Sequence, residues 1–217
     1  PPASPAAPRP AAPMRVLLVR DPLDAEQINL ELIRAGLAEA GFIDVGLADA
    51  DLTLPDRIAQ LRTALYPLLA PIANRWNQAM SIDVRYPAAH ADFLRRCHEA
   101  GQLRPTPLIL QYGPGDYNCL HQDLYGEHVF PLQVAILLSE PGVDFTGGEF
   151  VMTEQRPRMQ SRPEVVPLRK GDAVIFAVHH RPVPGTRGVY RVNMRHGVSR
   201  LHSGQRHTVG IIFHDAL

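Results

Sequence analysis

Apolar positions along the chain keep two different rhythms, and the change falls near Gly101. Before it, spacings of three and four dominate, the period of a helix with one buried face. Asp24 to Ala40 places Ile28, Leu32, Ile33 and Leu37 on one side, and Gly41 stands where such a helix would stop. A second helix is expected to open at Thr53-Leu54-Pro55, a capped start, and to run through Ile58, Leu61, Leu65 and Leu69. Pro67 and Pro71 lack the amide hydrogen that an inner turn donates, so they are expected to kink or divide it. A third helix is expected from about Pro87 to Ala100, ending at Gly101, and the short apolar run Met14 to Val19 reads as a strand broken off at Asp21-Pro22.

Beyond Gly101 the runs shorten and alternate with Gly and Pro turns. Leu108 to Tyr112, Val129 to Ser139, Glu149 to Met152, Val165 to Leu168, Ala173 to Val178, Val189 to Met194 and Thr208 to Phe213 are the expected strands. This spacing predicts a mainly β fold, an all-β barrel or jelly roll preceded by N-terminal α-helices that buttress one face. No internal repeat interrupts the pattern. A single domain is expected over residues 14–217, helical in 14–104 and barrel core in 105–217, after a Pro/Ala-rich tail over 1–13 that reads as disordered. A chain of 217 residues suffices for one domain with a substantial core.

Composition narrows the function classes only slightly. Acidic and basic residues balance at 22 each, but residues 1–150 hold 11 basic and 18 acidic side chains while 151–217 hold 11 basic and 4 acidic. A C-terminal part some seven charges positive is a hint of an anionic partner. Cys97 and Cys119 are the only cysteines, and the tail lacks the basic head and apolar stretch of a targeting peptide, so reduced thiols and a cytoplasmic location are expected. No apolar run approaches the roughly 20 residues that cross a bilayer. No stable protein partner can be inferred.

Candidate chemistry centres on Tyr112 to Asp123, YGPGDYNCLHQD. In extended backbone, residues two apart share a face, so His121 and Asp123 can converge on one point. Non-heme iron(II) is held by two histidines and one carboxylate on one face, with positions left open for substrate and oxygen. His196, in RHGVSRLHSGQRHTVGIIFHD, is the best second histidine. Arg206 follows it by ten residues, at the head of the apolar run Val209 to Phe213. An arginine aimed into a barrel needs a partner, and a small dicarboxylate that also chelates the metal would supply one. The implied cosubstrate is 2-oxoglutarate, its keto-acid end on iron and its far carboxylate on Arg206. His179-His180, adjacent in sequence, are expected to face opposite ways and to share no metal. His202, His207 and His214 are expected at the surface or behind the ligands.

The order His121-x-Asp123, His196, Arg206, together with Gly147-Gly148-Glu149 and Lys170-Gly171-Asp172, resembles the 2-oxoglutarate and iron(II)-dependent dioxygenases, with prolyl-hydroxylase-like spacing. The words RPTPLILQYGPGDYNCLHQDLYG, GGEF, EQRPR and RHGVS are similar to a bacterial subfamily described as oxygenases for oxidative demethylation of damaged nucleic acids. The resemblance spans roughly Pro105 to Ala216. It implies a double-stranded β-helix of the cupin-like jelly-roll type, and the cofactors Fe(II), 2-oxoglutarate and O2. It further implies hydroxylation of a C–H bond with release of succinate and CO2. By the same resemblance Tyr112, nine residues before His121, hydrogen-bonds the cosubstrate. AlkB-type enzymes carry an asparagine two residues before that tyrosine and a second arginine six after the first; Leu110 and Ile212 stand here, so the grip follows the prolyl-hydroxylase pattern more closely.

If the substrate is alkylated DNA or RNA, it must be single-stranded or present a flipped base. Tyr117 and Tyr125 are then candidates to stack on the base, and Arg156, Arg158 and Arg162, in the loop-like TEQRPRMQSRP, candidates to contact phosphates. The alternatives are a prolyl-type protein hydroxylase with the same metal site and a non-catalytic cupin-like binding barrel.

Overall fold

Helix α1 (Leu54–Ala79) buries the stripe that its spacing predicts: Leu61, Leu65, Leu69, Ile72, Ala73 and Trp76 are all inside. The computed structural model describes residues 16–18, 54–186 and 188–217. The expected tail over 1–13 and the expected helix from Asp24 to Ala40 lie outside them. Pro67 and Pro71 sit within α1 without dividing it. An interior proline costs about 3 kcal/mol or more, while each buried Leu or Ile contributes roughly 1.5–3 kcal/mol, so tertiary packing outweighs the local penalty.

Helix α2 (His90–Glu99) starts later than its sequence suggests, with Ala89 in extended backbone as an uncapped N-cap. The chain before Pro87 is held extended, because Tyr86 donates its amide to Asn74 Oδ1 (2.7 Å) and accepts from Asn74 Nδ2 (2.9 Å). Gly101 ends α2 as expected, at φ +81°.

The strands are β1 (Val16–Leu18), β2 (Leu108–Tyr112), β3 (Asn118–His121), β4 (Leu132–Leu137), β5 (Phe145–Gly147) and β6 (Phe150–Gln155). They continue with β7 (Ser161–Val166), β8 (Ala173–Ala177), β9 (His180–Gly185), β10 (Gly188–Val198), β11 (Leu201–Gly204) and β12 (Arg206–Ile211). One sheet runs β1-β8-β4-β12-β2; the other runs β3-β10-β6-β7, with β9 also on β10; β11 and β5 form a short ribbon. Among the described strands, every pairing is antiparallel except β1 with β8.

Phe176 of β8 meets Phe150 of β6 and His196 of β10, ring centroids 5.2 and 4.6 Å apart, so the two sheets close on a common interior. The fold is mainly β, a double-stranded β-helix of jelly-roll type backed by helices. Strand β4 is buried at every position, because Gln133, Ala135 and Leu137 share the inner face with Phe176 while Leu132, Val134 and Ile136 face the other way. Helix α1 is tied behind β12. Arg62 donates Nε to the Ile212 carbonyl (2.6 Å) and Nη2 to Asp215 (2.8 Å), and Asp215 also takes His98 (2.9 Å).

Several expectations are corrected. The run at Val165 belongs to β7, which begins at Ser161 and pairs with β6 from Gln155 onward, so Arg162 lies on an edge strand rather than in a loop. Backbone pairing, not burial, makes this strand: its first five positions are exposed. Strand β9 was hidden by Pro182 and Pro184, which an edge strand tolerates where no amide is needed. His179 and His180 do not point apart, since their rings stack at 3.5 Å where β9 begins. Of the two places expected for His214, the surface is excluded: it is wholly buried behind Asp123 and Tyr125, and its Nδ1 accepts the Phe130 amide (3.3 Å).

Candidate metal centre

Strand β3 and the C-terminal end of β10 pair so that His121 and His196 stand directly opposite each other. The approach is close because residue 197 is glycine: a Cβ there would lie 2.6 Å from the Asn118 carbonyl oxygen. Alternation then places Asp123 on the same side as His121, while Gln122 turns away and donates Nε2 to Asn193 Oδ1 and to the Met194 carbonyl, both at 2.7 Å. The Nε2 atoms of His121 and His196 each lie 3.4 Å from a different oxygen of Asp123. Adjacent ligand atoms on an octahedral face with bonds of ~2.1 Å would be ~3 Å apart, so the three donors fit one metal ion. Among the described residues, this is the group whose ligand atoms gather within 4.8 Å of one another.

Neighbouring groups orient the donors. His121 donates Nδ1–H to the Cys119 carbonyl (2.7 Å), which leaves Nε2 free as a ligand. His196 is wedged between Phe176 and Phe150. The Tyr125 hydroxyl donates to Asp123 Oδ1 at 2.6 Å. Burial alone would raise the Asp123 carboxyl, but bonds from His121, His196 and Tyr125 outweigh it and hold the group far below the ordinary carboxylate range. The bond to Asp123 raises His121, whereas burial lowers His196 and keeps its ring neutral. Two imidazoles and a carboxylate, with His121 partly open to solvent, are the donor types that a facial iron site uses.

Arg206 opens β12 opposite Tyr112 of β2, its Cζ 5.3 Å from the centre of the tyrosine ring. It is 1 % exposed, yet Nε and Nη1 have no hydrogen-bond partner. Burial lowers its proton affinity, a sign that the charge awaits a counter-ion. Neither Asp172 nor Asp215 serves: Asp172 takes the Arg169 amide and Asp215 takes Arg62. Arg206 lines a cavity of about 460 Å³ with Leu137, Phe145, Gly148 and Phe150. Gly147 and Gly148, both at positive φ, let the chain pass this close, since a Cβ on Gly148 would lie 3.1 Å from Arg206 Cδ. The unpartnered cation fits the far carboxylate of a keto diacid.

The remaining candidates scatter. Tyr117 is exposed, with Arg200 5.1 Å above its ring. Tyr125 reaches Asp123 rather than presenting a free hydroxyl. Arg156 and Arg158 lie in the β6–β7 turn; Arg156 bonds Glu154 (3.0 Å) and Arg158 holds positive φ. Sequence reading missed Arg181, buried on β9 with Glu154 as its partner. A charged residue amid HRPVP was the available signal.

A family model described as an oxygenase catalysing oxidative methylation of damaged DNA matches residues 50–216. Over 159 residues the chain is 50 % identical to an uncharacterised protein of Mycobacterium tuberculosis, covering 73 % of this chain and 68 % of that one. Among solved structures, a prolyl-4-hydroxylase of Pseudomonas putida aligns at 17 % identity and TM-score 0.40, over 84 % of this chain and 78 % of that one. An oxidoreductase of the 2OG-Fe(II) oxygenase family from Burkholderia pseudomallei aligns at 19 % identity and TM-score 0.36, over 61 % and 62 %.

Proposed function

The chain belongs to this family of oxygenases, and on that premise we propose that it is an iron(II)- and 2-oxoglutarate-dependent dioxygenase that removes N-methyl groups from alkylated nucleic acid. One observation carries the reading: three iron-type donors, His121, Asp123 and His196, converge, and Phe150, which packs on His196, also lines the cavity of Arg206, a buried arginine with no anion of its own. Iron(II), 2-oxoglutarate and dioxygen together supply the oxidising power that an inert C–H bond requires, with release of succinate and carbon dioxide.

The protein's part is placement. His121, Asp123 and His196 hold the metal on one face, and Tyr125 fixes the Asp123 carboxylate. Arg206, with Tyr112 beside it, binds the far carboxylate of the cosubstrate. Phe150, Phe176 and Met152 keep water from the inner side of the site. Hydroxylation of an N-methyl group leaves a hemiaminal that falls apart to formaldehyde and the bare amine, so the family's oxidative chemistry on damaged DNA is read here as demethylation. Arg156, Arg158 and Arg162 are suited to phosphates, and exposed Tyr117 to stacking on a base.

A second reading, hydroxylation of a protein side chain, is favoured by Leu110 and Ile212, the latter wholly buried, at the positions where AlkB-type enzymes carry polar cosubstrate contacts. Anaerobic titration with iron(II) and 2-oxoglutarate should produce a weak visible charge-transfer band, and its absence would favour a non-catalytic barrel. Succinate release stimulated by methylated oligonucleotides supports the proposal; stimulation by peptides alone rejects it.

A further inference from the structure

Register and alternation put a second set of side chains on the inner face that carries His196. Along β10, Met194 and Val192 follow His196 on that face; Met152 and Glu154 of β6 stand opposite His196 and Met194. Glu164 and Arg162 of β7 oppose Met152 and Glu154, and Arg181 of β9 opposes Val192. Met152, Glu154, Arg162, Glu164, Arg181 and Met194 line a cavity of about 520 Å³, within the roughly 300–1,000 Å³ of small-molecule sites. It begins at the strand neighbours of His196, on the side away from Phe150 and the Arg206 cavity. His196 therefore stands between two cavities, one suited to the cosubstrate and one left for the molecule to be oxidised.

Arg181 is the buried cation of this second cavity. It is 8 % exposed and donates Nη2–H to Glu154, but Nε and Nη1 are buried with no partner. Orphaned charged donors are costly, and a ligand that accepts from them recovers that cost. Two carboxylates face this cation across the cavity, Glu154, which is its direct partner and which Arg156 bonds as well, and Glu164. What remains is hydrogen-bond donation without a demand for a counter-anion. A neutral acceptor edge suits it better than a phosphate, for which exposed Arg162 in the cavity lining is better placed.

We infer that this cavity takes the modified base and that Arg181 determines specificity, donating Nε–H and Nη1–H to ring carbonyl or ring nitrogen acceptors while the methyl group faces the metal ligands. The inference rests on the nucleic-acid reading above.

The test uses the full chain with iron(II) and 2-oxoglutarate under anaerobic conditions. A labelled single-stranded oligonucleotide bearing one N-methylated base, and its unmethylated counterpart, are titrated by fluorescence anisotropy at several salt concentrations. Arg181→Met should weaken the methylated strand roughly ten- to a hundredfold and erase the preference for it. In turnover it should raise the KM for that strand without changing the 2-oxoglutarate requirement. The slope of log affinity against log salt should match wild type, because no phosphate contact is lost. Arg162→Gln should instead lower that slope by about 1 and affect both strands alike. A role confined to stability would not separate base preference from salt slope. Should Met at this position prevent folding, Arg181→Lys, which keeps the buried cation, makes the same comparison. Wild-type affinity and preference in a folded Arg181 variant overturn the inference and leave the nucleic-acid reading standing. A wild-type protein that no oligonucleotide stimulates overturns that reading, and the base assignment with it.

Discussion

Arg206 and Tyr125 carry opposite kinds of dependence on the metal centre. Arg206 is buried without a partner, so its charge costs free energy until an anion arrives. Arg206→Met should therefore leave the melting temperature of the cofactor-free protein unchanged or raise it, while the 2-oxoglutarate concentration for half-maximal rate rises by about tenfold or more. A lower melting temperature with an unchanged 2-oxoglutarate requirement would refute both parts. Tyr125 works behind the ligands. Tyr125→Phe removes the hydrogen bond to Asp123 and should weaken iron(II) binding by roughly 10- to 100-fold with the fold intact, read by anaerobic metal titration. Because Asp123 raises His121, metal must displace a proton from that imidazole. Iron(II) affinity should then fall as pH drops below the His121 pKa, by up to about tenfold per unit, and level off above it.

At the level of elements, the site depends on how closely strands approach. Gly197→Ala puts a methyl group against the Asn118 and Cys119 carbonyls, forcing β3 away from β10 and His121 away from His196. It should cost about 1–3 kcal/mol of stability and weaken metal binding, whereas Gly210→Ala, whose nearest neighbour would be 3.9 Å away, should do neither. Denaturant unfolding and metal titration of both proteins provide the check. The same elements explain what the sequence disclosed. His121 and Asp123 were legible because alternation within three residues is a local rule. The apolar runs of β4, β8 and β12 were legible because strands buried on both faces leave continuous hydrophobic words. Arg181 was not, because its meaning depends on Glu154, 27 residues earlier, and on a strand that two prolines conceal. Strand β7, polar and exposed, takes its form from β6 and carries almost no pattern of its own. The start of α2 was misjudged for a similar reason, since Asn74 of α1 holds the chain before Pro87 from a distance.

Across the whole molecule, the helices share an aromatic core with the chain flanking β4 and β12, in which Tyr66, His90, Phe93, Phe130 and Phe213 meet. His90 is buried there with Nε2 2.8 Å from the Phe213 carbonyl, and burial pushes its pKa down to about 4; burial does the same to His214. Both are neutral in the native state and ordinary histidines when unfolded, so the unfolded chain binds more protons between these values. Stability should be full above pH about 6.5 and fall as pH drops toward about 4. Thermal melts across that range should show the loss, and His90→Gln should make it shallower. Among the described residues no helix is long and apolar enough to cross a membrane. The division of labour between the sheets has an evolutionary consequence. Arg206 is rooted in the wall braced by α1, whereas Glu154, Arg162 and Arg181 belong to the opposite wall and its solvent-facing margin. A descendant could exchange the turn between β6 and β7 for another and acquire a new target, while Phe150 and Met152, at the start of β6, keep their places against His196.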